Sequence, residues 1–397
     1  MSHQLISRNA DLKRLRDEGY GIEVRSGFLL VTDIPYVTAE RAIHRGTLVS
    51  ELTLAVGDVT AVPSTHVAHF IGEYPCDQNG YQLSKIANSS GRQTLAPNVA
   101  IDHSFSAKPI AGSYKDYYEK VTTYVAIISG PAQMIDQTVT AKTFPLIRSD
   151  ANDSVFHYVD TASSRAEIVM ASRKLEPYKI AIVGVGGTGS YLLDFIAKTH
   201  VQEIHLFDGD FFLQHNAFRA PGAPSLDHFG RTLSKAIYFR DQYSNMRRGI
   251  VGHDHHIDES SIDQLREMDF VFLCIDASEP KKFIIESLEG FGTSFIDVGM
   301  GVNLIDDSLQ GIIRVTASTA KNRDHFRKRV SFGDVGLNDD YDRNIQIAEL
   351  NALNAALAVI KWKKLCGFYL DLDGEHHSTY TIDGNLLLNE DYVCNEK

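Results

Sequence analysis

The chain has 397 residues, with 39 Lys or Arg against 51 Asp or Glu, a formal net charge of −12. That length accommodates two or three domains with real cores, and a content of 43% hydrophobic and 23% charged residues is that of an ordinary globular protein. The acidic balance argues against non-specific binding to nucleic acid or to an anionic membrane surface, because phosphate repels it.

In chain order, residues 21–34, 47–56, 66–72 and 121–128 are rich in β-forming side chains and read as strands. Turn chemistry separates them at 77–80, Asn98 and 108–112. Residues 162–175 are helix-compatible, and Glu176 followed by Pro177 ends that helix. From Lys179 onward strands and helices alternate. Strands are expected at 180–183, 203–207, 270–275, 294–298 and 311–316, and helices near 191–198, 231–242 and 281–288, with a long helix over 341–365. Alternation of this kind specifies a mostly parallel sheet. The expected architecture is a strand-rich α+β domain over residues 1–155, followed by an α/β, Rossmann-like domain over 156–397.

The apolar runs are short. Residues 270–275 stop at Asp276, far below the ~20 residues that span a bilayer. Residues 1–8 carry no apolar signal core. Four cysteines, Cys76, Cys274, Cys366 and Cys394, form no C-x-x-C pair. The expectation is reduced thiols in a cytoplasmic protein, without a disulfide framework or a zinc knuckle.

Gly184, Gly186, Gly187 and Gly189 follow the first parallel strand and open a helix. Such a loop brings backbone N–H groups close to a phosphate at a helix N-terminus, although a tight strand-to-helix turn without ligand has the same signature. Asp208 ends the next strand, where a carboxylate accepts hydrogen bonds from ribose hydroxyls. These features alone do not separate a nicotinamide oxidoreductase from an ATP user. The residues after them do. Asp210, Asn216, Arg219 and Lys235 follow, and an Asn, an Arg and a Lys suit a triphosphate tail. Asp276 ends a further strand, a position suited to Mg²⁺.

Taken together, G-x-G-G-x-G, D-x-D, N-x-x-R, the downstream lysine and the strand-ending aspartate resemble the adenylation domain of the ThiF-type, ubiquitin-activating-enzyme-like superfamily. The resemblance covers residues ~160–370, and includes the strand 310–316 and the long helix after it. It implies that Asp208 holds a ribose, that Asn216, Arg219 and Lys235 hold phosphates, and that Asp276 holds Mg²⁺. It implies adenylation of the C-terminal carboxylate of a ubiquitin-like protein by Mg·ATP, handover to a ubiquitin-conjugating-enzyme-like partner, and a homodimer in which an arginine, here Arg165, reaches a site. The first domain resembles an uncharacterised domain fused to bacterial ThiF-type proteins, some of them in conjugation operons with a role in phage defence. A sulfur-carrier adenylyltransferase and an inactive ATP-binding scaffold are the alternatives.

Two features depart from the family pattern. The zinc-binding C-x-x-C pairs are missing, so no zinc is expected. Residues 317–340, where relatives place a catalytic cysteine, contain Ser318, Thr319 and Ser331 but no cysteine. Three routes stay open: release at the adenylate, an oxyester on a serine, or a distant cysteine. Cys274 reads as an inert strand residue and Cys366 as a helix-end packing residue. His253, His255 and His256 read as a solvated loop, His66 and His69 as structural, and the basic run 321–329 as a mobile, solvated loop.

Overall fold

The computed structural model describes residues 2–149, 151, 154–276, 278–330 and 345–389. The chain divides into two compact units, residues 1–147 and 148–397.

The first unit opens with helices α1 (Ser2–Arg8) and α2 (Ala10–Asp17). Strands β1 (Gly21–Arg25), β2 (Phe28–Val37) and β3 (Ile43–Glu51) follow as an antiparallel meander. A small hairpin, β4 (Leu54–Ala55) and β5 (Val59–Thr60), precedes β6 (Val67–Ile71), β7 (Ala87–Ala96) and β8 (Val99–Ser106). The six-stranded sheet runs β1-β2-β3-β6-β8-β7. Helix α3 (Tyr117–Ile135) packs on it.

Helix α3 corrects the strand expected at 121–128. Its β-branched residues gave the wrong signal; spacing and capping decide the outcome. Tyr117, Val121, Tyr124, Val125, Ile128 and Ala132 are all buried, on one face of a 3.6-residue period. Asp116 caps the helix by accepting from the Glu119 N–H at 2.7 Å, and the Glu119 carboxylate accepts from the Lys115 N–H at 2.7 Å.

In the second unit the helix expected at 162–175 is broken into α4 (Thr161–Arg165) and α5 (Val169–Ser172). Between them Glu167 takes φ +59°, which no helix continues through. Then come β9 (Lys179–Val183), α6 (Gly187–Ala197), β10 (Glu203–Phe207), the short α7 (Gln214–Ala217) and α8 (Leu226–Phe229), α9 (Lys235–Tyr243) and β11 (Ile250–His253). After β12 (Phe270–Leu273) and α10 (Glu279–Phe291), a long hairpin joins β13 (Ser294–Ile305) to β14 (Ser308–Ser318). Helix α11 (Ala348–Leu365) and strands β15 (His377–Thr381) and β16 (Leu386–Asn389) complete the unit.

The eight-stranded sheet runs β11-β10-β9-β12-β13-β14-β15-β16. Strands β11, β10, β9, β12 and β13 are parallel, and the last three are antiparallel. The central strands are covered on both faces, so their side chains alternate between two cores. Ile180, Ile182, Ile204, Leu206 and Phe272 face one cluster with Leu192 and Trp362. Ala181, Val183, Phe207, Val271 and Leu273 face another with Ile284 and Leu288. Each fully buried Val, Leu, Ile or Phe side chain among them contributes on the order of 1.5–3 kcal/mol. The first strand lies in the middle, with β10 and β11 on one side and β12 and β13 on the other. The chain therefore reverses direction between β9 and β12, and open sheets of this kind bind ligands at the carboxyl ends of the strands there.

The long helix begins at Ala348 rather than earlier. Its N-cap Ile347 is extended, at φ −122° and ψ 139°, and residues 341–344 of the expected span lie outside the described residues.

Candidate functional site

Glycine at 184 is required twice over. Its φ is +86°, and a Cβ there would come within 2.7 Å of the Cys274 carbonyl oxygen. Gly189 is tighter still, since a Cβ would fall 1.9 Å from the Gly184 carbonyl oxygen. These contacts press the turn onto β12 and the start of α6 onto the turn. Gly186 is different: among the described residues, a Cβ there would meet nothing within 4 Å. The loop is packed behind and open in front.

The open side faces a cavity of about 860 Å³ at the carboxyl ends of β9, β10, β12 and β13. Gly184, Gly186, Gly187, Asp208, Asp210, Arg219, Lys235 and Asp276 line it. Gly189 and Asn216 stand just behind the wall, Gly189 against the turn and Asn216 buried in α7. Arg165 ends α4 as an exposed residue outside the lining.

Asp208 is buried and tied to the backbone. It accepts from the Val185 N–H at 2.8 Å and the Asp210 N–H at 3.0 Å, clamping the glycine loop to the end of β10. Lys235, also buried, pairs with Asp210 at 2.7 Å and stands 3.8 Å from Asp208. Its ammonium holds the Asp210 carboxyl below the usual carboxylate range. The Asn216 side-chain oxygen accepts from the Leu213 N–H at 2.8 Å, which fixes the side chain and leaves its NH₂ group buried without a partner among the described residues. Arg219 Nε is likewise buried and unpartnered. Arg219 lines the cavity beside the glycine loop and a helix N-terminus, so its orphaned donor is one that an anion would satisfy.

Several site residues escaped the sequence reading. Asn351 on α11 accepts from the Thr188 hydroxyl at 2.9 Å and donates to the Arg219 carbonyl at 3.4 Å, so it joins the glycine-loop helix to the Arg219 loop. Asn354 donates to the Gly299 carbonyl at 3.0 Å. Their signal was two asparagines three apart on a face that otherwise carries Leu350, Ala355, Ala358 and Trp362. Lys281, Arg314 and His256 also line the cavity. Arg314 was hidden among apolar neighbours, and Lys281 in the charged first turn of α10.

The histidine cluster is solvated at His256, which is exposed, but not at His253 on β11. His253 stacks on Phe207 with centroids 4.2 Å apart, and its Nε2 lies 3.1 Å from His205 Nδ1. Burial, with His205 and His255 alongside, lowers its pKa to about 4. His256 faces Asp210 at 3.6 Å. The described residues include no group of three or more His, Cys, Asp or Glu side chains able to hold a metal. His69, on β6, contacts the Ser104 hydroxyl at 2.8 Å. The basic run is docked rather than mobile, because its apolar residues anchor it. Phe326 is fully buried against Phe295, and Arg327 pairs with Glu289 at 2.7 Å.

Of the acyl-acceptor candidates, Ser318 is fully buried, with Arg323 Nη1 3.4 Å from its hydroxyl. Ser331 and Cys394 lie outside the described residues. Cys366 caps the end of α11 and burial pushes its thiol up to about 11. Burial, then the Asp297 charge, raises Cys274 well above the ordinary thiol range. Both thiols are therefore protonated at neutral pH and poor nucleophiles.

Residues 163–302 match the ThiF family, and residues 10–161 match a family described as "Domain of unknown function (DUF6791)". The second unit carries a ThiF-family domain. The chain is 26% identical over 165 residues to ubiquitin-like modifier-activating enzyme 5 of Gallus gallus, covering 38% of this chain and 41% of the relative. The Mus musculus protein of the same name is 24% identical over 165 residues, with 38% and 40% covered. The chain thus spans about two fifths of the length of these curated relatives. Among solved structures, E. coli MccB with ATP superposes with a TM-score of 0.41 at 18% identity, covering 56% of this chain and 66% of that one. PaaA gives 0.41 at 17% identity, covering 56% and 75%.

Proposed function

We propose that the ThiF-family domain adenylates the C-terminal carboxylate of a ubiquitin-like protein with ATP and Mg²⁺. The observation that carries this reading is the buried, unpartnered donor Arg219 Nε, beside a glycine loop whose outer side is open at Gly186. A polyphosphate in the cavity satisfies the Arg219 donor, and a hydride-transfer cofactor has no comparable need of the Arg219 and Lys235 pair.

In this reading the phosphates lie over Gly186 and the N-terminus of α6, between Arg219 and Lys235. Asp208 serves the ribose side while clamping the loop. A carboxylate oxygen attacks the α-phosphorus, the bond to the β-phosphate oxygen breaks, and that electron pair leaves with pyrophosphate. The protein supplies alignment and fixed positive charge rather than a nucleophile. Asp276 lines the cavity at the end of β12, and one carboxylate with phosphate oxygens and waters suits Mg²⁺. The ion would neutralise charge on the phosphates. A conjugating-enzyme-like protein then takes the activated acyl group, in the cytoplasm, and Arg165 acts at the site of a second copy in a homodimer.

The test is ATP–pyrophosphate exchange with and without a ubiquitin-like protein encoded beside this chain. Exchange that needs the partner's free C-terminus, and is lost in Asp276→Asn, is the expected result. Nucleotide binding with no exchange for any such partner overturns the substrate; no nucleotide binding overturns the site.

A further inference from the structure

At the end of the cavity away from Arg219 and Lys235 lies a second charged cluster that the phosphate reading does not use. Asp297 on β13 is completely buried. Lys281, itself buried in the first turn of α10, pairs with one Asp297 oxygen at 2.5 Å and donates to the Ile275 carbonyl at 3.2 Å. Arg314 on β14 donates to the other Asp297 oxygen at 2.6 Å and to the Thr316 hydroxyl at 2.9 Å. Two cations against one carboxylate leave the cluster with one net positive charge. Burying charges is costly unless they are paired. Lys281 and Arg314 reach the cavity wall, and Asp297 stands behind them.

The wall is shaped around the guanidinium. Arg314 pairs with Gly299 across the β13–β14 ladder, and a Cβ at Gly299 would fall 2.7 Å from Arg314 Nη2 and 3.1 Å from Nε. Glycine there lets the guanidinium lie on the β13 backbone. A Cβ on Gly301, two residues along the same wall, would meet nothing among the described residues within 4 Å. The wall beside Arg314 is therefore glycine backbone that is open at Gly301, which suits an extended, small-residue polypeptide end. Arg314 uses one N–H of each terminal nitrogen on Asp297 and Thr316, which leaves Nε and the remaining terminal N–H groups for a ligand. The Lys281 side chain bonds the Ile275 carbonyl, next to Asp276. The cluster thus adjoins Asp276, the residue proposed to hold Mg²⁺.

We propose that Arg314 is the acyl-carboxyl subsite of this domain: it receives the carboxyl oxygen of the incoming polypeptide terminus, with Asp297 and Lys281 as its positioning residues. This inference rests on the adenylation reading and assigns its second substrate a place.

The probes are AMP, which needs only the nucleotide half, and 5′-O-(N-glycylsulfamoyl)adenosine, which adds a glycyl group at the α-phosphate position. Both are titrated calorimetrically into the full chain. The wild type is expected to bind the glycyl compound more tightly than AMP. Arg314→Gln is expected to keep AMP affinity and lose about tenfold or more for the glycyl compound, the scale of one charge-assisted hydrogen bond. Arg314→Lys should recover part of that loss. Asp297→Asn should show the same split, which a merely structural role would not produce. If Arg314→Gln binds both ligands as the wild type does, or loses both equally, the acyl subsite is wrong while the nucleotide site stands. If the wild type binds neither ligand, the adenylation reading itself fails.

Discussion

The contrast between Gly186 and Gly189 separates ligand binding from folding within one loop. At Gly189 an added Cβ lies 1.9 Å from the Gly184 carbonyl oxygen and 3.3 Å from the Cys274 Cβ, so backbone must move. Overpacking of this kind costs about 1–3 kcal/mol. For a domain of this length that lowers Tm by roughly 2–4 °C per kcal/mol. At Gly186 the same methyl meets no atom of the described residues within 4 Å. Gly186→Ala should cost ~1 kcal/mol or less, chiefly because alanine is a poorer N-cap than glycine. Its methyl does occupy the space proposed for phosphate. If it removes one charge-assisted N–H contact, worth about 1.5–3 kcal/mol, ATP affinity falls roughly 10- to 150-fold. The assay is calorimetric ATP titration beside thermal unfolding of both variants. Gly186→Ala binding ATP as tightly as the wild type would refute a phosphate over this loop. A Gly189→Ala Tm no lower than that of Gly186→Ala would refute the close-packing argument.

Three further outcomes follow. Arg219→Ala removes a buried, unpartnered donor, so pyrophosphate exchange should fall by about 100-fold or more, as for loss of a preorganised charge at a reaction centre, with no drop in Tm; a variant that keeps full exchange would remove Arg219 from the site. His253 has a folded-state pKa near 4, below its unfolded value of about 6.5. Between these values the unfolded chain binds more protons. Stability is therefore complete above pH 6.5 and declines as pH falls toward 4. Denaturant midpoints at pH 7 and pH 5 should show this decline in the wild type and a smaller one in His253→Phe, which keeps the stack on Phe207; equal declines would deny His253 the effect. Finally, Cys274 and Cys366 should alkylate with iodoacetamide far more slowly in the native chain than in urea at pH 8, because burial raises both thiols; peptide mass spectrometry showing rapid native labelling of either would contradict the packing described.

The parallel half of the sheet was legible because its signals are local. Strands such as β9 and β10 are short apolar runs, and the turn after β9 carries glycines whose backbone geometry only glycine supplies. The glycine loop, Asp208, Lys235 and Asp276 meet at one cavity because each follows or begins an element that ends at the same edge of the sheet. Helix α3 was misread because residues 121–128 favour strands by composition, whereas the Asp116 cap and the spacing of buried residues favour a helix. In that case the periodicity that packs the element overrode the propensity of its residues.

Asn351, Lys281, Asp297 and Arg314 were illegible for a different reason. None belongs to a short motif, and each acquires its meaning from a partner on another element. Asn351 meets Thr188 across 163 positions, and Arg314 meets Asp297 only through the β13–β14 hairpin register. Asp297 inside a run of Phe295, Ile296 and Val298 is the one sequence clue to this cluster. A lone carboxylate at a strand position that must be buried requires a cation brought by the fold. Here the fold brings two, and the second cation is what turns a structural ion pair into a surface that can meet a carboxylate.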